Sequence, residues 1–275
     1  MNTCYIPKSM EELGEALGRL AENSLILAGG TDLVLRLRTK NLQPDSLLSL
    51  SDVPELKEIH ITSECASIGA MATMAEVKSA VDGLPDLQAL ADAAGGVGSP
   101  QIRNKGTIGG NAANASAAAD LPPVLWLLNA QAEIMGPGGI CRTIPIQELP
   151  DGQQGNTLAL GEVVIRFVID RTQLKGWRSA FEKLGHRSQV TISRIGMAMA
   201  LLQEEDGAIQ DARVVAGAIK PVPFQLFAAE DILRGKKPDP DLAIELGETF
   251  KGNTRRVYKE NAAKGVFQDT LLRFQ

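Results

Sequence analysis

The apolar positions along the chain fall into short blocks whose spacing changes repeatedly between the helical and the extended period. Over 7–20, Met10, Leu13, Ala16, Leu17 and Leu20 recur at helical spacing, with Ser9 placed to cap and Glu11 and Glu12 in the first turn. A short apolar strand follows at 24–27, and 33–38 begins a second helix. Residues 46–50 read as a strand that Pro54 closes, and 58–61 with 66–70 read as a hairpin in which His60 faces outward. The segment 73–80 carries a capping box, Thr73 with Glu76, and 84–94 is a further apolar helix ended by Gly95-Gly96. Pro122 and Pro123 suit the first turn of a helix over 121–128, with Asp120 at its N-cap and Trp126 in the core. Strands at 131–135 and 140–144 flank the turn Gly136–Gly139, and 163–169 is a β-rich run. Beyond Asp170 the pattern predicts strands at 177–184, 193–203 and 209–219, with a hairpin turn at Asp206-Gly207. Helices over 224–233, 239–248 and 253–274 complete the chain.

Two stretches interrupt this alternation. Asn104 to Asp120 holds three glycines, three asparagines, a threonine and a serine, with Lys105 its single cation, and opens as a loop rather than a regular element. Leu27-Ala28-Gly29-Gly30-Thr31-Asp32-Leu33 is a second such loop, between a strand and a helix start. Amide groups left free by glycine-rich backbone form a concave nest for anions, and a helix start adds its dipole. Together the two loops can grip both sides of one diphosphate. Alone, the first is equally an ordinary strand-to-helix turn, and its spacing is not the GxGxxG of a dinucleotide fingerprint.

Composition narrows the possibilities. The 275 residues are 44% hydrophobic and 22% charged, the balance of a globular protein with a sizeable core, and the length allows two domains. A net charge of −5 and the lack of an arginine-rich tract argue against nucleic acid as a partner. No apolar run is long enough to span a bilayer, and the opening Met1-Asn2-Thr3-Cys4-Tyr5-Ile6-Pro7 has no signal-peptide pattern. Cys4, Cys65 and Cys141 are scattered and odd in number, which fits a reducing cytoplasm and gives no metal site. With only His60 and His186 in the chain, a histidine-based triad or metal centre is disfavoured.

The two loops in order resemble the FAD-binding subunit of molybdenum hydroxylases, the xanthine dehydrogenase and carbon monoxide dehydrogenase family. The residues that carry the resemblance are Ala28 to Leu33 and Gln101 to Asn111, closed by Asp120-Leu121-Pro122. It continues through Phe181 to Arg187, Ile192-Ser193-Arg194, Ala216 to Pro223 and Tyr258 to Lys264. The resemblance implies an α+β chain: a two-part FAD-binding domain of the vanillyl-alcohol-oxidase-like (PCMH) type, then a small C-terminal α+β domain with a three-stranded antiparallel sheet and helices. The implied boundaries are 1–170, with halves of about 1–55 and 56–170, and 171–275.

By the same resemblance Leu27 to Leu33 and Thr107, Ile108, Gly109, Gly110 and Asn111 donate amides to the diphosphate. Asn114 and Asp120 match positions that bind ribityl or ribose hydroxyls and phosphate oxygens, and Val97 one that lies against the adenine. Val164 or Ile165 matches an apolar contact, Lys183 a cation at the polar edge of the isoalloxazine, and Ile192 a contact on its face. The chain departs from the family at Thr191, where an acidic residue is frequent, and in the turn Arg187-Ser188-Gln189-Val190. Its three cysteines are too few for the [4Fe–4S] insert of some relatives.

The implied function is electron transfer. A molybdopterin-containing large subunit oxidises substrate, a [2Fe–2S] small subunit passes electrons on, and FAD in this chain delivers them to an acceptor such as NAD. Two other readings stand beside it: a separate FAD-dependent oxidoreductase of the vanillyl-alcohol-oxidase type, and a flavin-free assembly subunit.

Overall fold

The computed structural model describes residues 3–153, 155–187 and 190–275. Met1 and Asn2 of the opening segment, and Ser188 and Gln189 of the departing turn, lie outside the described residues.

The first unit is a small parallel sheet of β1 (Thr3–Tyr5), β2 (Leu25–Leu27) and β3 (Ser46–Ser49), in the order β1-β3-β2. The crossover from β1 to β2 is α1 (Met10–Leu17), shorter at both ends than the apolar repeat predicts. Ser9 caps it by accepting from the Glu12 amide, and Leu13 and Leu17 are buried beneath it. Edge strand β2 runs into the first glycine turn, and α2 (Leu33–Thr39) leaves that turn.

The second unit is a five-stranded antiparallel sheet in the order β4-β5-β8-β6-β7: β4 (Ile59–Ile61), β5 (Cys65–Gly69), β6 (Gln131–Met135), β7 (Cys141–Pro145) and β8 (Val163–Asp170). Central β8 is covered on both faces, so it reads as a continuous apolar run. The helices are α3 (Met74–Val81), α4 (Gln88–Gly96), α5 (Pro100–Arg103), α6 (Ile108–Ala113) and α7 (Leu121–Leu127). The capping box on α3 forms in both directions. The stretch opens as a turn at Asn104 to Gly106, as expected, and becomes helical only at Ile108, where the Thr107 hydroxyl accepts from the Gly110 amide and caps α6. Asp120 makes no side-chain cap on α7: its carboxylate is drawn away by partners distant in sequence.

The C-terminal part has β9 (Trp177–Leu184), β10 (Ile195–Gln203), β11 (Ile209–Gly217) and β12 (Phe224–Gln225), antiparallel in the order β12-β11-β10-β9. The sheet is four-stranded rather than three-stranded. Phe224 and Gln225, expected to open a helix, instead pair with Ala216 and Val215 along the open edge of β11. Helix α8 (Phe227–Leu233) therefore starts later, and α9 (Ala243–Glu248) and α10 (Val257–Leu272) are also shorter than expected. At the start of α10, Asn253 is held outside the helix by Lys220 Nζ and the Thr249 carbonyl.

Strand β10 shows how the parts join. Its large side chains, Ile195, Met197, Met199 and Leu201, pack with residues of α8, α9 and α10. Its small ones, Ala198 and Ala200, belong to the same core as Leu90, Val124 and Phe167 of the second unit. Small residues on that face let α7 lie close to the sheet, and a β-carbon on Gly217 would meet Pro123 Cγ at 2.9 Å. Arg171 and Asp86 close the seam with two charge-assisted bonds of 2.7 and 2.9 Å.

Candidate functional site

A cavity of about 460 Å³ lies where the first unit meets the second. The turn 28–33 forms one wall, and Gly106, Thr107, Gly109, Gly110 and Asn111 with Ala113 and Asn114 form the opposite one. Residues 156–164 close a third side. Leu20, Ile26, Leu50, Met71, Met74 and Val97 supply apolar lining.

The loops are locked to one another before any ligand is considered. A β-carbon on Gly29 would sit 1.8 Å from the Lys105 carbonyl oxygen, and one on Gly109 would sit 2.6 Å from Ala70 Cβ. Glycine is therefore required here by backbone packed on backbone. The close approach that the sequence reading reserved for a diphosphate is, at these two positions, made to the protein itself.

What the cavity offers is hydrogen-bonding capacity without partners. Among the described residues, the six consecutive amides of Ala28, Gly29, Gly30, Thr31, Asp32 and Leu33 donate no hydrogen bond within the chain. Gly30 takes φ of +72°, which turns successive N–H groups toward a common centre. Across the cavity, Asn111 Oδ1 is buried and has no partner. Buried polar atoms normally find one, so the orphaned acceptor of cavity-lining Asn111 and the six free amides of the opposite wall together mark the place of a polar ligand. A dinucleotide fits this donor set: amides for its diphosphate, an acceptor for a ligand hydroxyl, and apolar walls for its rings.

Most residues singled out in the sequence line this cavity: Ala28 to Leu33, Val97, Thr107, Gly109, Gly110, Asn111, Asn114 and Val164. Six do not. Leu27 ends β2, where its carbonyl accepts from the Leu50 amide. Ile108 and Ile165 are core residues, so of the pair Val164 and Ile165 it is Val164 that faces the cavity. Asp120, Lys183 and Ile192 stand together beyond the Val97 end. Lys183 Nζ donates to Asp120 Oδ2 at 2.6 Å and to the Gly96 carbonyl at 2.8 Å. Ser193 Oγ donates to the other Asp120 oxygen, and the neighbouring Ile192 is 76% exposed.

Sequence reasoning missed Asn156, whose side-chain amide donates to the Ala113 carbonyl at 2.7 Å and ties the third wall to α6. It also missed 158–163, where Glu162 accepts from the Ala159 amide and takes two bonds from Arg142, each 2.7 Å. The Arg142 hydrogen bond is the main reason the Glu162 carboxyl titrates below the ordinary carboxylate range, outweighing its partial burial. Gly161, at a φ of +78°, is the one signal in this stretch, and the return of β8 brings it to the site.

Comparison with known proteins agrees with this geometry. Residues 1–170 match the FAD binding domain in molybdopterin dehydrogenase, and 179–272 match the CO dehydrogenase flavoprotein C-terminal domain. The nicotinate dehydrogenase FAD-subunit of Eubacterium barkeri is 30% identical over 98% of this chain and 94% of its own. The xanthine dehydrogenase FAD-binding subunit of Escherichia coli O157:H7 is 29% identical over 79% of this chain and 75% of its own. Among solved structures, quinoline 2-oxidoreductase from Pseudomonas putida 86 superposes with a TM-score of 0.88 at 26% identity, covering 99% of this chain and 96% of the other. The chain belongs to the FAD-binding subunits of the xanthine dehydrogenase and carbon monoxide dehydrogenase family of molybdenum hydroxylases, and it is an FAD-dependent oxidoreductase subunit.

Proposed function

We propose that this chain is the electron-transfer subunit of a molybdenum hydroxylase. In this reading it takes electrons from a [2Fe–2S] small subunit, served by a molybdopterin-containing large subunit, and passes them to an acceptor such as NAD in the cytoplasm. The observation that carries the reading is the run of six unpaired amides on one wall of a cavity also lined by Asn111, whose Oδ1 is unpaired. When bound, FAD supplies the exchange between one-electron and two-electron steps.

The chain's own residues bind and orient. Ala28 to Leu33 hold the diphosphate by amide donors, with Leu27 and Ile108 fixing the two segments from the core side; contrary to the sequence expectation, the amides of Ile108, Gly109, Gly110 and Asn111 are bonded to the Ala72 and Ala70 carbonyls and to Thr107, so that segment supplies a wall rather than free donors. Asn114 serves a ligand hydroxyl, while Val97 and Val164 flank the rings, with Ile165 as backing. Lys183, held by Asp120, keeps a positive charge beside Gly96-Val97. That charge favours added electron density nearby, and Ile192 is free to cover a ring face. No nucleophile or general base is called for, in keeping with two histidines in the chain.

The test is the visible spectrum of the purified chain, followed by denaturation and identification of the released chromophore. A flavin band with one FAD released per chain is expected, lost in Gly110→Trp with the far-ultraviolet circular dichroism unchanged. Photoreduced protein should return to the oxidised spectrum on addition of NAD, with NADH formed. A flavin that stays reduced in NAD but reoxidises with a quinone would replace NAD as the acceptor.

A further inference from the structure

The cavity offers amides to a diphosphate, but its lining holds very little positive charge. Among the described residues that line it, the charged side chains are Asp32, Glu162 and Arg36. Glu162 is neutralised by two bonds of 2.7 Å from Arg142, which stands outside the lining. Lys105, the cation of the second glycine loop, does not line the cavity, and Lys183, beyond the Val97 end, is committed to Asp120. Arg36 is therefore the one cation on the lining among the described residues.

Its position ties it to the free amides. Arg36 lies one turn along α2 from Asp32, its amide donating to the Asp32 carbonyl at 3.0 Å, and both side chains are on the side of the helix that meets the cavity. The Asp32 amide is itself one of the six free donors. Arg36 Nη1 stands 3.6 Å from Asp32 Oδ2, close enough for a loose ion pair and too far for a hydrogen bond, and both side chains are half-exposed. Helix α2 has no buried residue, so packing does not account for an arginine at this position. Backbone amides carry no net charge, and the Asp32 carboxylate adds to the negative charge that a diphosphate brings.

We propose that Arg36 supplies the counter-charge for the FAD diphosphate held by the amides of 28–33, in competition with its loose pair to Asp32. A guanidinium fork matches two phosphate oxygens, and its partner carboxylate leaves its donors available. In the sequence Arg36 is one of several cations with Arg38 and Lys40, and only the cavity separates it from them. The assignment rests on the placement of the diphosphate given above.

The experiment measures the affinity of the full chain, freed of flavin, for FAD and for riboflavin, which has no phosphate, by flavin fluorescence over a range of sodium chloride concentrations. In the parent, FAD should bind tighter than riboflavin and weaken as salt rises. Arg36→Gln should weaken FAD about fivefold at low ionic strength, flatten the salt dependence and leave riboflavin unchanged. Arg36→Lys, which keeps the charge, should stay close to the parent. Arg38→Gln removes a cation of the same helix outside the lining and should match the parent. Asp32→Asn releases Arg36 and should tighten FAD, which decides the matter if Arg36→Gln fails to fold. Unchanged FAD affinity in Arg36→Gln, a loss that extends to riboflavin, or an equal loss in Arg38→Gln overturns the proposal. A parent that binds FAD no tighter than riboflavin overturns the diphosphate placement itself, and the proposal with it.

Discussion

Lys183 and Asp120 form a 2.6 Å ion pair between β9 of the C-terminal sheet and the residue that precedes α7. Their side chains are 15% and 7% exposed, so each charge depends on the other. Removing one partner of such a pair leaves a buried charge uncompensated, at about 3–5 kcal/mol. Asp120→Ala should therefore lower the melting temperature markedly. Asp120→Ala/Lys183→Met should recover much of the loss, and a double-mutant cycle by thermal denaturation measures the coupling. Additive effects would show that the pair is not coupled.

Gly29→Ala tests whether the two walls of the cavity are one structure. The new methyl would fall 1.8 Å from the Lys105 carbonyl oxygen, and neither backbone has room to yield. FAD affinity, read from the recovery of flavin fluorescence on dilution, should fall by well over tenfold. Wild-type affinity in this variant would mean that the loops separate without consequence for the site.

Asn111 separates ligand binding from stability. Its Oδ1 is buried without a partner, a situation that costs roughly 1–3 kcal/mol. Asn111→Leu should leave the ligand-free chain at least as stable in urea while weakening FAD binding at least tenfold. A variant that loses stability without losing affinity would assign Asn111 to the fold alone.

Glu162 links the cavity wall to pH. Its carboxyl is held below the ordinary range, chiefly by the Arg142 hydrogen bond. A depressed folded value contributes stability that is complete above the ordinary carboxylate range. That stability is lost as pH falls through the ordinary and then the folded value. Stability measured by denaturant from neutral to strongly acidic pH should fall less steeply in Glu162→Gln than in the parent. Parallel curves would remove Glu162 from the acid response.

The local signals in the sequence read well where the cause is local. The Ser9 cap, the Thr73–Glu76 box and the 163–169 strand all form, while β11 stops at Gly217, short of the expected 219 and of the prolines, where Ala218 takes a φ of +61°. The errors share one physical origin, a partner far along the chain. Asp120 suits an N-cap to its neighbours, but Lys183 and Ser193, more than sixty residues away, take both oxygens. Phe224 suits a helix start, but the open edge of β11 takes its backbone. Of the cavity, the glycine walls were legible because glycine is conspicuous, while Asn156 and Glu162 were not, since their placement depends on where β8 returns.

The two faces of β10 carry a final implication for how the chain can be divided. Its Met197 face belongs to the C-terminal helices, and its Ala198 face completes a core begun by α4 and α7. A gene cut near Asp170 would leave each fragment with an oily surface meant for the other, prone to aggregate when made alone. The fragments should be rescued only by co-expression, and the intact chain should melt in a single step. The flavin pocket and the sheet beside it are in that sense a single inheritance, kept together because neither half is dry without the other.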